Sequence, residues 1–315
     1  MLHVLNGDAT AVVFAAAGLP GETLVWRDIV VEGPVAEGTG IRPTAERAAY
    51  LASTLGIDAD TYLRAVESQT ARLAAAPAGE EIVLWFEQDL FCTVTLWSLV
   101  DWLTRHRSAT PLSLVYPALD DKVKGLGAMP TARLAALFAD RQPVSERMRA
   151  VGGRAWSAYV SPDPFASVAL VAHESAALPF VQDAFRCHHG RFPSVANGLR
   201  ELEAATLMAL RRGPRRYGAL FQEVTALPHL RRHGMGDVQF AACLRGLRPL
   251  VSITGGDIPM AEMDITAQGR QVEAGEADWL ALHPIDTWLG GIHLHPGGPL
   301  WRWDGAWDRL VTALA

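Results

Sequence analysis

Cysteine is scarce in this 315-residue chain, with only Cys92, Cys187 and Cys243, far apart in sequence. Three widely spaced cysteines exclude a disulfide framework and a structural zinc pattern, and lead us to expect a reduced, cytoplasmic protein. Lysine is scarcer still: Lys122 and Lys124 are the only two, so arginine carries nearly all the positive charge. No apolar run is long enough to cross a membrane. The start, MLHVLNGDA, lacks the basic-then-apolar order of a secretion signal. Neither GxGxxG nor GxxxxGK[ST] occurs, so neither an NAD-type dinucleotide fingerprint nor a P-loop is supported.

Half of the residues are hydrophobic and 20% are charged. Such a chain can bury a large core, and its length favours about two domains. The net charge is -6, but it is spread unevenly. From Arg186 to Arg248 eleven arginines face four acids, a local +7 that leaves -13 elsewhere. Two readings are open: the basic segment meets an anionic partner, nucleic acid included, or it docks on the acidic remainder.

Along the first 118 residues, short apolar runs alternate with helical patterns. Leu2–Leu5, Glu22–Trp26, Ile82–Phe86 and Pro111–Tyr116 read as strands. Segments 9–17, 44–55, 58–76 and 90–106 read as helices, with Thr44 and Asp58 as N-caps. This alternation predicts an α/β fold with a mostly parallel, Rossmann-like sheet. Residues 119–184 read as a helical connector that begins with the charged loop Asp120–Gly127. Residues 185–275 give three helices, a hairpin turning at Gly255-Gly256-Asp257 and a further helix, which is the plan of a winged helix-turn-helix domain. Residues 276–315 form a tryptophan-rich tail expected to pack back on the fold.

The blocks HVLNGDATA, VWRDIVVEGPV and IVLWFEQDLF, in this order, resemble a bacterial family catalogued as domain of unknown function 1835. ALFADRQPV, SPDP, RFPSVANGL, WLGGIHL and WRWD extend the resemblance over nearly the whole chain. It implies that the three N-terminal blocks form one site, with a histidine where this chain carries Gln88.

The polar residues at the strand ends are the leading candidates. In a parallel sheet, ligands bind beyond the carboxyl ends of the strands. Asn6-Gly7-Asp8, Trp26-Arg27-Asp28 and Glu87-Gln88-Asp89 all fall there. Asp8, Asp28, Glu87 and Asp89 are the candidate catalytic acids. Asp8, Glu87 and Asp89 are candidate oxygen ligands for Mg²⁺ or Mn²⁺. Alternatively, close carboxylates form an acid–base pair. Asn6, Gly7, Trp26, Arg27, Glu32 and Trp85 are candidate substrate contacts, with the two tryptophans walling a pocket. Each acid also has an ordinary role to weigh: Asp8 and Asp89 as helix caps, and Arg27 as an ion-pair partner.

For nucleic acid, Arg211, Arg212, Arg215, Arg216, Arg231 and Arg232 are candidate phosphate contacts. Gln239 and Arg245 are the only side chains of the third helix suited to reading bases. His293, His295 and Asp304 form a weak metal-site candidate, and Cys92 a weak nucleophile candidate. The resulting expectation is an enzyme for a nucleotide-like or other small polar substrate in an acidic cleft, aided by a divalent ion. The alternative is a nucleic-acid-binding regulator with a ligand-sensing α/β domain.

Overall fold

In the computed structural model, which describes residues 1–38, 40–117, 125–173 and 177–313, a five-stranded sheet organises the N-terminal part. Its strands are β1 (Leu2–Leu5), β2 (Glu22–Val25), β3 (Ile82–Trp85), β4 (Leu112–Val115) and β5 (Gln142–Pro143), in the order β2-β1-β3-β4-β5. The first four are parallel and in step: Leu2 pairs with both Glu22 and Ile82, and Leu5 with both Val25 and Trp85. Their carboxyl ends are therefore level. Strand β5 runs antiparallel along the edge of β4.

The uninterrupted apolar run at Ile82–Trp85 follows from burial on both faces of the sheet. Ile82 and Leu84 join Leu2, Val4, Leu112 and Leu114 in one core. Val83 and Trp85 join Leu5, Phe14 and Val115 in a core on the opposite face. This is the two-residue alternation of a strand.

The helices are α1 (Asp8–Ala17), α2 (Ala45–Leu55), α3 (Ala59–Ala74), α4 (Leu90–His106), α5 (Thr131–Ala139), α6 (Glu146–Tyr159), α7 (Phe165–His173) and α8 (Val181–His189). The Thr44 and Asp58 side chains cap α2 and α3, accepting from the Arg47 and Thr61 amides. Helix α4 is buried at every position from Cys92 to Leu103, because α6 and α8 pack on it from outside the sheet. The connector thus supplies the edge strand β5 and helices layered on the sheet. Of its charged loop, Asp120, Asp121, Lys122, Val123 and Lys124 lie outside the described residues.

The arginine-rich part has its own core, which includes Leu207, Leu220, Phe240, Leu244 and Met263. It comprises α9 (Glu201–Leu210), β6 (Arg215–Arg216), α10 (Tyr217–Thr225), α11 (Pro228–Arg231), α12 (Asp237–Gly246), β7 (Val251–Thr254), β8 (Glu262–Ile265) and α13 (Ala267–Glu273). The three strands form an antiparallel sheet in the order β6-β8-β7. Gly255 and Gly256, both at positive φ, begin the connection from β7 to β8.

After α14 (Trp279–Leu282), the tail makes two antiparallel hairpins. One pairs β9 (Thr287–Leu289) with β10 (Ile292–Leu294), and the other β11 (Leu300–Asp304) with β12 (Arg309–Ala313). The tail folds back on the chain: the Trp303 amide donates to Pro193 O and the Gly291 amide to Tyr159 O. Among the described residues, no helix is long and apolar enough to cross a membrane.

Candidate functional site

Strand order reverses between β1 and β3, because the chain leaves β1 for one edge of the sheet and returns past it to β3. Such a switch point is where a parallel sheet opens a crevice. Here Asn6 and Glu87 meet across it. Asn6 Nδ2 donates to Glu87 Oε1 at 3.0 Å and to Cys92 Sγ at 3.3 Å. Thr10 Oγ1 orients Asn6 by donating to its Oδ1 at 2.7 Å. The Leu126 amide donates to the same Glu87 oxygen at 2.8 Å. Gly125, at φ +85, lies directly against this carboxylate, and a β-carbon there would sit 2.7 Å from Glu87 Oε2. Gln88 turns away and donates to Pro117 O at 2.6 Å.

Asp89 caps α4, with Oδ1 accepting from the Cys92 amide at 2.8 Å. Burial and the neighbouring Glu87 charge push its carboxyl up to about 7. No cation is paired with it among the described residues. The arginine-rich part closes over this point. The Leu90 amide donates to Arg232 O at 2.7 Å, and a β-carbon on Gly234 would lie 2.4 Å from Asp89 Oδ1. Burial and the Asp89 charge push the Cys92 thiol well above its ordinary range, so it is no thiolate nucleophile.

The other acids go elsewhere, which corrects the idea of one acidic cluster. Asp8 does not cap α1; Gly7 holds that position. Asp8 is exposed and takes a two-pronged bond from Arg27, at 3.0 Å from Nε and 2.6 Å from Nη2. That bond holds its carboxyl below the usual range. Asp28 is buried, 3.0 Å from Tyr62 Oη and 3.3 Å from Arg47 Nη2. Glu32 accepts from Gln239 Nε2 at 2.8 Å and pairs with Arg191 at 3.2 Å. Among the described residues, no three His, Cys, Asp or Glu side chains are gathered to hold a metal ion. Asp8, Glu87 and Asp89 instead answer to separate protein partners.

Trp26 and Trp85 do not wall an open cleft either. Both are buried to within 1% of complete, since the strand pattern turns them into the cores. Trp85 donates to His3 Nδ1 at 3.0 Å and stacks on Phe138.

Most of the candidate phosphate-binding arginines have protein partners. Arg211 pairs with Glu273, Arg212 and Arg215 share Glu223, and Arg232 pairs with Asp183. Arg216 and Arg231 are exposed. Helix α12 packs on α2, and both of its candidate base readers are engaged there: Gln239 with Glu32, and Arg245 with Thr54 O at 3.0 Å. In the tail, His293 bonds Asp286 at 2.7 Å while Asp304 pairs with Arg309 at 3.3 Å, so the three do not act as one set.

Sequence reading missed a cavity of about 250 Å³ where the three parts meet. Of its walls, only Glu32 and Gln239 had been singled out. Tyr50, Arg191, Arg200, Trp279 and His283 also line it, drawn from distant stretches of which only Arg191 and Arg200 carried a signal, the arginine surplus.

No protein-family model and no curated protein matches this chain. Among solved structures, it is similar to the DNA-binding, cleavage and re-ligation domain of Plasmodium falciparum topoisomerase II. The TM-score is 0.47 and the identity 9%, over 99% of this chain and 54% of that one. The chain thus spans about half the length of that structure, and a likeness of this size carries no argument about function.

Proposed function

We propose that the chain is an enzyme acting on a small polar, nucleotide-like substrate at the switch point between β1 and β3. Glu87 and Asp89 serve as its acid–base pair, and Asn6 and Gly7 as substrate contacts. One observation carries this reading: a carboxyl with no paired cation among the described residues, pushed up to about 7 at the end of a central strand. A group with that affinity exchanges protons near neutral pH, as a general acid or base must. Glu87, two residues away and fixed by Asn6 and the Leu126 amide, supplies the second charge. Mg²⁺ or Mn²⁺ enters only as an ion carried in by the substrate, because Asp8, Glu87 and Asp89 each already hold a protein partner. The resemblance to the domain of unknown function 1835 is kept as part of this proposal.

We propose that the arginine-rich part is a winged-helix-like packing module, a reading supported by its helices followed by the β7–β8 hairpin and a further helix. Helix α12, which would enter a DNA groove, is already docked on α2. Its arginines are largely neutralised by the chain's own acids.

The test is a thermal-shift screen of nucleotides and small polar metabolites, each with and without Mg²⁺, on wild type and Glu87→Gln. We expect at least one compound to raise the melting temperature of wild type and to lose that effect in a variant that still folds. A screen without hits, combined with unfolding of Glu87→Gln, would show that these acids are structural.

A further inference from the structure

The cavity of about 250 Å³ lies away from the strand ends and has no task in the strand-end chemistry. We propose that it is a second binding site, for a flat heteroaromatic ligand of no net charge and of nucleobase or nucleoside size.

Its position is the first argument. Glu32 and Tyr50 come from the N-terminal part, Arg200 and Gln239 from the arginine-rich part, and Trp279 and His283 from the tail. A ligand here touches all three. Direct bonds between the parts already surround it: Gln239 to Glu32, Arg245 to Thr54 O, and Tyr50 Oη with Thr287 Oγ1 at 3.3 Å.

Size and charge then narrow the ligand. At about 250 Å³ the cavity falls just below the roughly 300–1,000 Å³ of drug-sized sites. It suits a base or nucleoside and is too small for a dinucleotide. Two arginines reach it, but each is matched: Arg191 by Glu32 at 3.2 Å and Arg200 by Glu203 at 2.6 Å. Among the described residues of the wall no arginine is left unmatched for a phosphate, and desolvating an unmatched anion is costly. His233, also in the wall, adds no positive charge, because burial lowers its proton affinity.

Shape and edge chemistry complete the case. Trp279 and His283 stack with ring centres 4.8 Å apart and planes 12° apart, a flat surface to which a third ring can add. Gln239 Nε2 donates one hydrogen to Glu32 Oε1 and Gln239 Oε1 accepts from the Gly236 amide, which leaves the second Nε2 hydrogen and Glu32 Oε2 as a donor and an acceptor for a ligand. A base edge carries the complementary pattern. Leu55, Leu202 and Ile285 add apolar wall.

The experiment is calorimetric titration of the full chain with adenosine, guanosine and, separately, inorganic phosphate, followed by melting curves. We expect one nucleoside to bind at one per chain and to raise the melting temperature progressively with its concentration. Gln239→Ala should weaken that binding about ten-fold or more. Thr54→Trp, which fills the cavity from its partly exposed rim, should abolish binding while the far-UV spectrum stays unchanged; it decides the matter if Gln239→Ala unfolds. The proposal is overturned if neither nucleoside binds at millimolar concentration, if Thr54→Trp binds as wild type does, or if phosphate alone reproduces the effect. Because Thr54→Trp leaves Glu87 and Asp89 untouched, its result separates this site from the strand-end crevice.

Discussion

The ends of β2 and β3 look alike in sequence. In each, an aromatic residue leaves the strand, one or two polar residues follow and an aspartate closes the step: Trp26-Arg27-Asp28 and Phe86-Glu87-Gln88-Asp89. The structure treats the two aspartates differently. Asp28 is enclosed with a guanidinium: Arg47 reaches it at 3.3 Å and also donates to the Ile29 and Glu32 carbonyls. Asp89 has amide donors at the start of α4 but, among the described residues, no paired cation, and the like charge of Glu87 acts on it. A buried carboxylate with a matched cation is part of the framework. One without a cation can exchange a proton. The difference comes from the partner, which for Asp28 stands nineteen residues further along, on α2.

The largest effect should come from removing that partner. Arg47→Ala strands the Asp28 charge and two backbone carbonyls, and we expect a loss of about 3–5 kcal/mol in urea unfolding. A loss near zero would show that the pair holds nothing together.

Asp89→Asn is next and runs the other way. Asparagine keeps the cap but cannot ionise. The folded-state affinity of Asp89 is raised from 3.8 to about 7, so its contribution to stability is complete below pH 4 and is lost as pH rises through 7. The variant should therefore exceed wild type at pH 8 by about 1–4 kcal/mol, and the gap should close toward pH 4. Parallel stability curves across that range would mean that Asp89 titrates as an ordinary carboxyl.

The smallest effect is expected at Asp8→Asn. The Asp8–Arg27 pair is exposed, at 68% and 54% of the side chains, so its loss should cost less than about 1 kcal/mol and fade in high salt. A larger cost would give Asp8 a structural role close to that of Asp28.

Much of the framework could be read from local pattern. Short stretches rich in apolar residues mark the parallel strands, and Thr44, Asp58 and Asp89 stand at helix starts where their side chains accept amide hydrogens. The polar ends of the strands are legible as well, and Glu87 meets Asn6 there. What local pattern could not show was where each charged side chain turns. Arg27 follows β2 and could have faced a substrate, but it reaches Asp8 instead. Trp85 stands next to the polar loop, yet the strand's alternation carries it into the core. The arginine surplus left two readings open, and pairs such as Arg211–Glu273 and Arg212–Glu223 satisfy much of it internally.

By itself, then, the sequence determined the parallel α/β sheet, its helix caps and the polar edge, because these depend on periodicity and on contacts within a few residues. The tertiary structure alone decided that Asp28 has a cation and Asp89, among the described residues, does not, that α12 lies on α2, and that Glu32, Arg200, Gln239 and Trp279 enclose a common space. The physical reason is the same in each case. The charge balance of a carboxylate and the shape of a cavity depend on side chains that are remote in sequence and become neighbours only when the separate cores pack together.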